Sequence, residues 1–349
     1  MKFIGNPQYK HGSPERLGVL LVNLGTPVSP KTPDVRRYLA EFLSDPRIIE
    51  MPRWLLRILL HGFILRIRPA RSAKAYRAVW SEKSGSPLLN ISIKQTHALQ
   101  AELEKRFGRN VVVALGMRYG KPSIDSALTE LESAGARQII LLPMYPQYSG
   151  TTTASVFDAV SARLQKTRVI PELRTINQYC KDPEYIQALA NSVRESWAEK
   201  GRGDLLVTSY HGLPRSCVTK GDPYFYQCQT TSQLLAENLG IGSDKVKVVF
   251  QSRVGRNEWL RPYCDETMKL LPGEGFKSID VISPAFSADC LETIEEINQE
   301  NRQYFEEHGG ERFCYIPCLN DRPDHINFLA NLITRHAQGW IPESTRDSQ

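Results

Sequence analysis

Short apolar runs alternate with helically spaced segments along the chain. Gly18–Leu24 is predicted to be a strand because it is almost entirely apolar, whereas Asn90–Arg106 has the apolar spacing of a helix. The alternation continues with a strand at Val111–Met117, a helix at Ile124–Ser133 and a strand at Gln138–Met144. This order predicts a parallel sheet with helices on its faces.

The same alternation restarts after about residue 165 and predicts a second, similar half. The predicted strands are Asp204–Tyr210, Val246–Gln251, Ile279–Ser283 and Phe313–Pro317. The predicted helices are Gln229–Leu239, Leu260–Leu271, Leu291–Glu307 and His325–His336. We therefore predict an α/β protein of two doubly wound domains with parallel sheets, in which the last helix packs back across the domain boundary.

The predicted domain boundaries follow from this repeat. An arm at 1–16 precedes a first domain at 17–165, a second domain with the C-terminal helix spans 166–338, and a loose polar tail spans 339–349. A long insertion at about 28–88 interrupts the first domain, and connections of this length usually serve as lids or binding lips. The insertion includes the segments Arg36–Leu43, Trp54–Ile67 and Lys74–Trp80.

The composition fits a folded protein of 349 residues, with 41% hydrophobic and 23% charged positions. The net charge of +6 suits an anionic small molecule or a membrane surface, but without a dense basic run it does not predict nucleic-acid binding. Seven scattered cysteines favour a reducing compartment over a disulfide framework. Because the N-terminus lacks a signal-peptide pattern and no apolar run is long enough to cross a bilayer, we expect a cytoplasmic protein.

One histidine lies where parallel sheets bind ligands, beyond the carboxyl ends of the strands. His211 follows a predicted strand end, and its imidazole could accept a proton near neutral pH. A histidine that only hydrogen-bonds its own loop is the competing interpretation. No GxGxxG follows the first strand and no GxxxxGK[ST] occurs, so neither a dinucleotide nor a nucleoside triphosphate is expected.

Three glutamates recur every four residues at the start of a predicted helix: Glu292, Glu296 and Glu300. Like charges at this spacing repel each other, and a bound cation would turn the repulsion into attraction. The alternative is a solvated acidic face. In a regular α-helix the glutamates would also drift away from the apolar side of the helix.

The segment Trp54–Ile67 is strongly apolar but carries Arg57, His61 and Arg66. It is too short to span a membrane. Three structures fit this pattern: a helix in the membrane interface, a wall of an apolar pocket with arginines at its rim, and a buried helix of an ordinary core.

Together, these pieces resemble the ferrochelatase family from about Leu17 to His336. In the second half the similar motifs are Ser209–Pro214 with Lys220–Tyr224, Phe250–Gly255 with Trp259–Pro262, and Ser283–Thr293. In the first half they are Asn23–Pro27, Gly116–Tyr119 and Tyr145–Ser149. All of them occur in one consistent order, and the style of the motifs is that of Gram-negative bacteria.

The resemblance implies two Rossmann-like domains of the chelatase type with porphyrin in the cleft between them. It implies that His211 takes protons from the pyrrole nitrogens and that Glu292 works opposite or beside it. Glu296 and Glu300 would continue an acidic path toward solvent, and all four residues are candidate iron contacts. Relatives carry a π-turn in this helix, which would realign the drifting glutamates.

A porphyrin is a flat apolar disc with anionic propionates, so it needs an apolar slot with basic or hydroxyl groups at its mouth. The candidate substrate-binding residues are Tyr76, Trp80, Ser86, Arg118, Tyr119, Gln251, Ser252, Trp259 and Phe286. The chain departs from relatives at two positions. Leu24 stands where some have Met or Tyr, and Cys290 stands where many have His.

The implied activity is insertion of Fe²⁺ into protoporphyrin IX to form protoheme, in the last step of heme biosynthesis. The alternatives are a non-catalytic tetrapyrrole or metal carrier with the chelatase fold, and a chelatase for another metal or tetrapyrrole. Iron is a substrate here, and no cofactor is required. An iron–sulfur cluster is not expected because the cysteines are dispersed. The expected partners are porphyrin and ferrous iron, with peripheral contact to the inner face of the cell membrane through 54–67. The sequence sets no oligomeric state.

Overall fold

The protein contains two parallel four-stranded sheets, each flanked by helices, in a computed structural model that describes residues 3–5, 11–12, 15–255 and 257–340. The first sheet has the order β2-β1-β3-β4 and the second the order β6-β5-β7-β8. The strands of the first sheet are β1 (Arg16–Thr26), β2 (Val111–Gly120), β3 (Ala136–Pro143) and β4 (Glu172–Thr175). Those of the second are β5 (Leu205–His211), β6 (Val246–Gln251), β7 (Ser278–Ile282) and β8 (Arg312–Tyr315). The predicted fold class is confirmed.

The helices cover the faces of these sheets and build the insertion. In the first half they are α1 (Thr32–Leu43), α2 (Arg53–Leu59), a π-turn (Leu60–Ile64), α3 (Leu65–Val79), α4 (Pro87–Phe107), α5 (Ile124–Ser133) and α6 (Thr153–Leu164). From there to the end they are α7 (Pro183–Lys200), α8 (Arg215–Thr219), α9 (Tyr224–Leu239), α10 (Cys264–Leu270), a π-helix (Glu292–Asn301), α11 (Arg302–Glu307) and α12 (Pro323–His336). Short 3₁₀ turns at Gly108–Asn110 and Ser243–Lys245 precede β2 and β6.

The predicted boundary at 165/166 is wrong by one strand. β4 pairs in parallel with β3, so the first sheet continues to Thr175. Its sequence, Glu-Leu-Arg-Thr, is short and half polar because an edge strand is paired on one side only, and it carries little of the apolar signal that marks a central strand.

The last helix packs back onto the first half, as the sequence predicts. α12 lies against both α4 and α7, and its buried residues Ile326, Leu329 and Ile333 join one large apolar core. That core takes in strands of both halves, since it includes Leu21 from β1 and Leu206 from β5. The two halves are therefore held together by shared apolar burial.

The insertion folds as a helical lip over the carboxyl edge of the first sheet. The predicted helix at Trp54–Ile67 is not one regular helix, because α2 passes into the π-turn and then into α3. The Arg36 Nε donates to the carbonyl of Leu65 at 2.9 Å, which ties α1 to the start of α3. This lip has one buried side and one exposed apolar side, as described below.

The chain ends fall partly outside the described residues. In the arm, Ile4 forms an isolated parallel bridge with Thr167. Residues 341–349 of the predicted loose tail lie outside the described part of the chain. Among the described helices, none combines the length and apolar character needed to cross a membrane.

Candidate active site

His211 is the last residue of β5, and its backbone pairs with Gln251 at the end of β6. The Nδ1 atom lies 2.7 Å from the carbonyl oxygen of Gly212. Because a carbonyl can only accept, Nδ1 carries the proton and donates it, which leaves a lone pair on Nε2 of the neutral ring. A half-buried imidazole fixed in this tautomer is suited to accept a proton through Nε2.

Gly212 allows the close approach of chain segments around this histidine. Its backbone N–H donates to the carbonyl of Gln251 at 2.8 Å. A Cβ atom there would lie 2.7 Å from that same oxygen and 3.2 Å from the ring of Trp259. Any side chain at this position would therefore separate the ends of β5 and β6 and move Trp259, which borders the site.

The three glutamates lie on a π-helix, Glu292–Asn301, within the region predicted as one α-helix at Leu291–Glu307. The i→i+5 bonds of a π-helix turn each residue through a smaller angle than an α-helix, which counters the drift of residues spaced by four. Glu292 and Glu296 are half-buried and Glu300 is exposed, so the row runs from the interior toward solvent. The prediction of a regular α-helix is therefore wrong over Glu292–Asn301, and the π-turn that the resemblance implies is present there.

Glu296 is held by hydrogen bonds from neutral donors. The Ser252 N–H and hydroxyl donate to its two carboxylate oxygens at 2.6 and 2.5 Å, and Gln251 Nε2 donates at 3.4 Å. Burial raises the pKa of Glu296 to about 7, although the bonds from Ser252 act to lower it and the charges of Glu292 and Glu300 add to the rise. This carboxyl is therefore close to half-protonated near neutral pH.

Gln251 connects the histidine strand to the π-helix. Its Oε1 accepts from the Ser209 hydroxyl at 2.8 Å, and its Nε2 donates to the backbone carbonyl of Glu292 at 2.8 Å. Since both ends of the amide are in use and Ser252 is bound to Glu296, Gln251 and Ser252 position the carboxylates. The donors of both side chains are used within the protein, and the predicted contact of these residues with the substrate stays a prediction.

A narrow pocket joins the two halves where β1 ends and the π-helix begins. It has an empty volume of about 280 Å³, including its open mouth. Its lining residues come from both halves: Leu24, Gly25, Thr26, Tyr38, Tyr76, Val79, Ser86, Pro87, Leu88, Cys290, Leu291 and Glu292. Tyr76, Ser86 and Glu292 were predicted, and the structure brings them together here.

Titratable side chains from the two halves interact electrostatically in this pocket. The pKa of Tyr76 is raised, first by burial and then by the nearby Glu292 carboxylate. Burial also raises the pKa of Cys290, so its thiol stays protonated and acts as packing rather than as a ready thiolate ligand. Leu24 contributes an apolar wall beside Phe286.

The remaining aromatic candidates surround this pocket rather than lining it. Trp80 ends α3 and meets the ring of Tyr76 edge-on, with centroids 6.3 Å apart. Phe286 packs with Leu24 next to Cys290, and Trp259 forms an isolated bridge with Pro214 near the histidine. Ser86 is the N-cap residue of α4 and is buried.

Arg118 and Tyr119, which were both predicted to bind the substrate, belong to an internal hydrogen-bond network in this structure. Arg118 Nη2 and the Tyr119 hydroxyl both donate to Asp45 Oδ2, at 2.5 and 2.7 Å, and the Ser155 hydroxyl donates to the same oxygen at 2.6 Å. Burial acts to raise the pKa of Asp45, but these hydrogen bonds, one from Arg47 and the Arg118 charge together lower it.

Asp45 is the residue that sequence reasoning missed. It lies just after α1 and is buried, and it connects the lip to the end of β2. A lone aspartate in a loop gives no sequence signal that distinguishes it from a solvent-exposed turn residue.

The predicted iron contacts do not form a ready-made coordination site. Among the described residues, no group of three or more His, Cys, Asp or Glu is arranged to hold a metal ion. The arrangement instead offers a basic imidazole nitrogen at His211 and a row of carboxylates at Glu292, Glu296 and Glu300. Such a set can accept protons and contact a cation in transit, which is what a substrate metal requires.

The fold is shared with tetrapyrrole chelatases of known structure. A structure described as SirB from Bacillus subtilis with Fe³⁺ matches with a TM-score of 0.55 at 11% identity, covering 93% of this chain and 96% of that one. A sirohydrochlorin chelatase SirB from Bacillus subtilis subspecies spizizenii, in complex with cobalt, matches with a TM-score of 0.53 at 10% identity and covers 95% and 98%. At these identities the likeness concerns the fold alone.

Sequence comparison gives the family. The family model described as Ferrochelatase matches residues 16–337. The ferrochelatase of Marinobacter nauticus is 55% identical over 349 residues, covering 100% of this chain and 94% of the relative. That of Hydrogenovibrio crunogenus is 53% identical and covers 100% and 93%. With the histidine, the π-helical carboxylates and the two-half pocket in place, the chain belongs to the ferrochelatase family.

Proposed function

We propose that this protein is a metal chelatase that inserts Fe²⁺ into protoporphyrin IX and releases protoheme, the last step of heme biosynthesis. The observation that carries the proposal is the presence, in one ferrochelatase-family chain, of an imidazole whose Nδ1 is engaged at His211 and of a carboxyl group at Glu292 in the lining of the pocket. Gln251 connects the strand that ends at His211 to the helix that begins at Glu292.

The reaction replaces two pyrrole N–H protons by one Fe²⁺ ion, so two protons must leave as the metal enters. His211 Nε2 accepts a proton because Nδ1 is already engaged as a donor. Glu292 borders the pocket and offers a negative charge to the incoming cation, and Glu296, with its pKa near 7, can take up and release protons at neutral pH. The exposed Glu300 completes a path to solvent.

The direct test is an anaerobic mixture of the purified protein with protoporphyrin IX and Fe²⁺. We expect the heme absorption spectrum to develop with turnover. Porphyrin binding without turnover would instead identify a carrier, and turnover only with cobalt or another tetrapyrrole would identify a different chelatase. His211 and Glu292 favour an enzyme over a carrier, because binding alone does not require a base.

We further propose that the protein needs no resident cofactor and holds no iron–sulfur cluster. Such clusters need converging thiolates, whereas six of the seven free cysteines are buried and they are spread over the second half of the chain. Cys314 lies within β8, and Cys318 lies past its end. Stoichiometric acid-labile sulfide in protein made anaerobically with iron and sulfide would contradict this proposal.

The lip is proposed to contact a membrane surface peripherally, with the protein on the cytoplasmic side. Four large apolar side chains of one lip segment are exposed: Trp54, Ile58, Phe63 and Ile67. Trp54 is 67% and Ile67 75% exposed, and the basic Arg57 and Arg66 on the same segment are exposed beside them. Exposed apolar groups with flanking arginines suit an anionic lipid surface.

A further inference from the structure

Asn320 occupies an unusual backbone position in the loop between β8 and α12. Its φ angle is +47°, in the left-handed region that asparagine tolerates better than most residues. In this conformation its backbone N–H donates to the carbonyl of Ser287 at 3.1 Å, and its own carbonyl accepts from Gln95 at 2.9 Å and from His325 at 2.8 Å. The loop is thus fixed to the segment that follows β7.

The Asn320 side chain forms a two-bond clamp on Asp289. Its Oδ1 accepts from the backbone N–H of Asp289 at 2.8 Å, and its Nδ2 donates to Asp289 Oδ2 at 2.7 Å. A side-chain amide can satisfy both bonds at once because it has a donor and an acceptor side by side. Every polar group of Asn320 is therefore in use.

Asp289 in turn fixes the start of the π-helix. Its other oxygen, Oδ1, accepts from the hydroxyls of Tyr315 and Thr293 at 2.5 and 3.0 Å. Thr293 Oγ1 also accepts from the backbone N–H of Cys290 at 3.0 Å. Glu292 lies in the chain between the anchored residues Cys290 and Thr293, so the clamp fixes the backbone on both sides of it.

The clamp also reaches the first half of the molecule. Gln95, on α4, donates through Nε2 both to the Asn320 carbonyl and to the Ser287 carbonyl, at 2.9 and 2.7 Å. Gln95 is fully buried, and the pair of bonds spans the junction between the two halves. The position of the first half is therefore connected to the start of the π-helix through two hydrogen-bonded residues.

We propose that Asn320 is a positioning residue for the reaction: through Asp289 it sets the location of Glu292 relative to the pocket, and through Gln95 it couples that location to the packing of the two halves. The inference rests on the proposed function, because it assumes that Glu292 acts during metal insertion. Asn320 itself hydrogen-bonds to neither the pocket lining nor the glutamates.

The experiment compares steady-state iron insertion by the wild type with that by Asn320→Asp. This change keeps the shape of the side chain but sets a carboxylate oxygen against Asp289 Oδ2, so the two like charges repel. We expect kcat to fall about 10- to 100-fold, the cost of a small displacement of a reacting group, with the KM for porphyrin changed by less than about threefold.

A compensating variant tests the polarity of the clamp. In Asp289→Asn/Asn320→Asp the donor and acceptor are exchanged, so both clamp bonds and the bonds to Oδ1 can form again. We expect this double variant to recover kcat to within about threefold of the wild type, whereas each single variant stays low, as in a double-mutant cycle for directly bonded groups. Asn110→Asp, at an exposed asparagine, is the matched control and should behave as the wild type.

Two further measurements separate the possible results. Asn320→Gly keeps the left-handed backbone without introducing a charge, and it should show the same loss of kcat even if Asn320→Asp does not fold. A wild-type protein that inserts no iron would remove the proposed function itself. An active wild type with unchanged kcat in Asn320→Gly, or a double variant no better than the single ones, would overturn the role of Asn320 alone.

Discussion

Asp45 in the first half and Glu296 in the second accept hydrogen bonds from similar donors, but their pKa values are shifted in opposite directions. Asp45 and Glu296 each accept hydrogen bonds from a serine hydroxyl and from a backbone N–H. Asp45 also pairs with the Arg118 guanidinium, and its pKa is lowered. Among the described residues, the hydrogen-bond donors to the Glu296 carboxyl are neutral. Its neighbours along the helix, Glu292 and Glu300, are acidic, and burial raises its pKa to about 7.

The difference in pKa indicates that the two carboxyl groups have different roles. A carboxylate with a cation partner keeps its charge to lower pH than a free one, so Asp45 can serve as a connection between the lip and the first sheet. A desolvated carboxylate without one exchanges its proton near neutral pH. Under the proposed function, the fixed charge of Asp45 belongs to the half that carries the lip, and the second half carries the carboxyl whose pKa lies near neutral pH.

The largest expected effect concerns His211, the proposed proton acceptor of the second half. His211→Ala should lower kcat for iron insertion by about 10²- to 10⁴-fold while porphyrin still binds, because general-base loss typically costs that much. Stopped-flow or steady-state heme formation measures the rate, and fluorescence quenching measures porphyrin binding. His97→Ala, at an exposed histidine of α4, is the control. Retention of more than about a tenth of kcat would exclude His211 as the base.

The second prediction tests the fixed charge of the first half. Asp45→Asn leaves the half-buried Arg118 guanidinium without its carboxylate, so the free energy of unfolding at pH 7 should fall by up to about 3 kcal/mol. Because the pKa of Asp45 is lowered by folding, this contribution is present above its unfolded pKa and disappears as the pH falls through the folded value. Denaturant titrations of wild type and variant at pH 7 and pH 3 should show the gap narrowing in acid. If wild type and variant differ in the free energy of unfolding by the same amount at both pH values, Asp45 does not have the lowered pKa on which the comparison with Glu296 depends.

The third prediction has the opposite sign with pH. Folding raises the pKa of Glu296 from 4.5 to about 7, so its contribution to stability is present below pH 4.5 and is lost as the pH rises through 7. Glu296→Gln should remove this loss and make the variant more stable than the wild type at pH 8, by at most about 3 kcal/mol. Glu300→Gln, at the exposed end of the row, is the control and should change the pH profile little. A flat wild-type profile between pH 5 and 8 would show that Glu296 stays charged.

The fourth prediction sharpens the role of the carboxylate row. Glu292→Gln should slow single-turnover iron insertion about tenfold more than Glu300→Gln, because Glu292 borders the pocket whereas Glu300 is exposed, where water replaces a lost charge. Rapid-quench measurements with pre-bound porphyrin decide between them. Equal losses would mean that the row acts as a unit rather than in order of burial.

The smallest expected effect lies on the exposed side of the lip. Serine at Trp54, Ile58, Phe63 and Ile67 should reduce co-flotation with anionic vesicles several-fold, because each removes exposed apolar area from the membrane contact. Serine at Val169 and Ile170, which are similarly exposed outside the lip, is the matched control and should leave flotation unchanged. Iron insertion in detergent should be unaffected in both. If the wild-type protein does not co-float with anionic vesicles, the lip does not contact the membrane and contributes only to the pocket.

Central strands and well-spaced helices could be predicted from the sequence because their signal is local. The apolar run Gly18–Leu24 lies inside β1, and the helix Ile124–Ser133 has the predicted bounds. The edge strand β4 was missed because half of its residues are polar. The break at Leu60–Ile64 was also missed, because apolar residues continue on both sides of it and only His61 and Gly62 interrupt the run.

The sequence by itself determined the two-fold α/β repeat and the family, because periodicity and motif order are properties of the chain. It also singled out His211 and the three glutamates as candidate site residues, and their roles stay predictions. Only the tertiary structure decided which partners surround each polar side chain and therefore how it can act. Arg118 was predicted to bind the substrate, but in the structure its guanidinium forms an ion pair with Asp45, which is distant in sequence. The proton affinity of Glu296 likewise depends on burial and on Ser252 from another strand end, and no local pattern encodes the desolvation that raises its pKa.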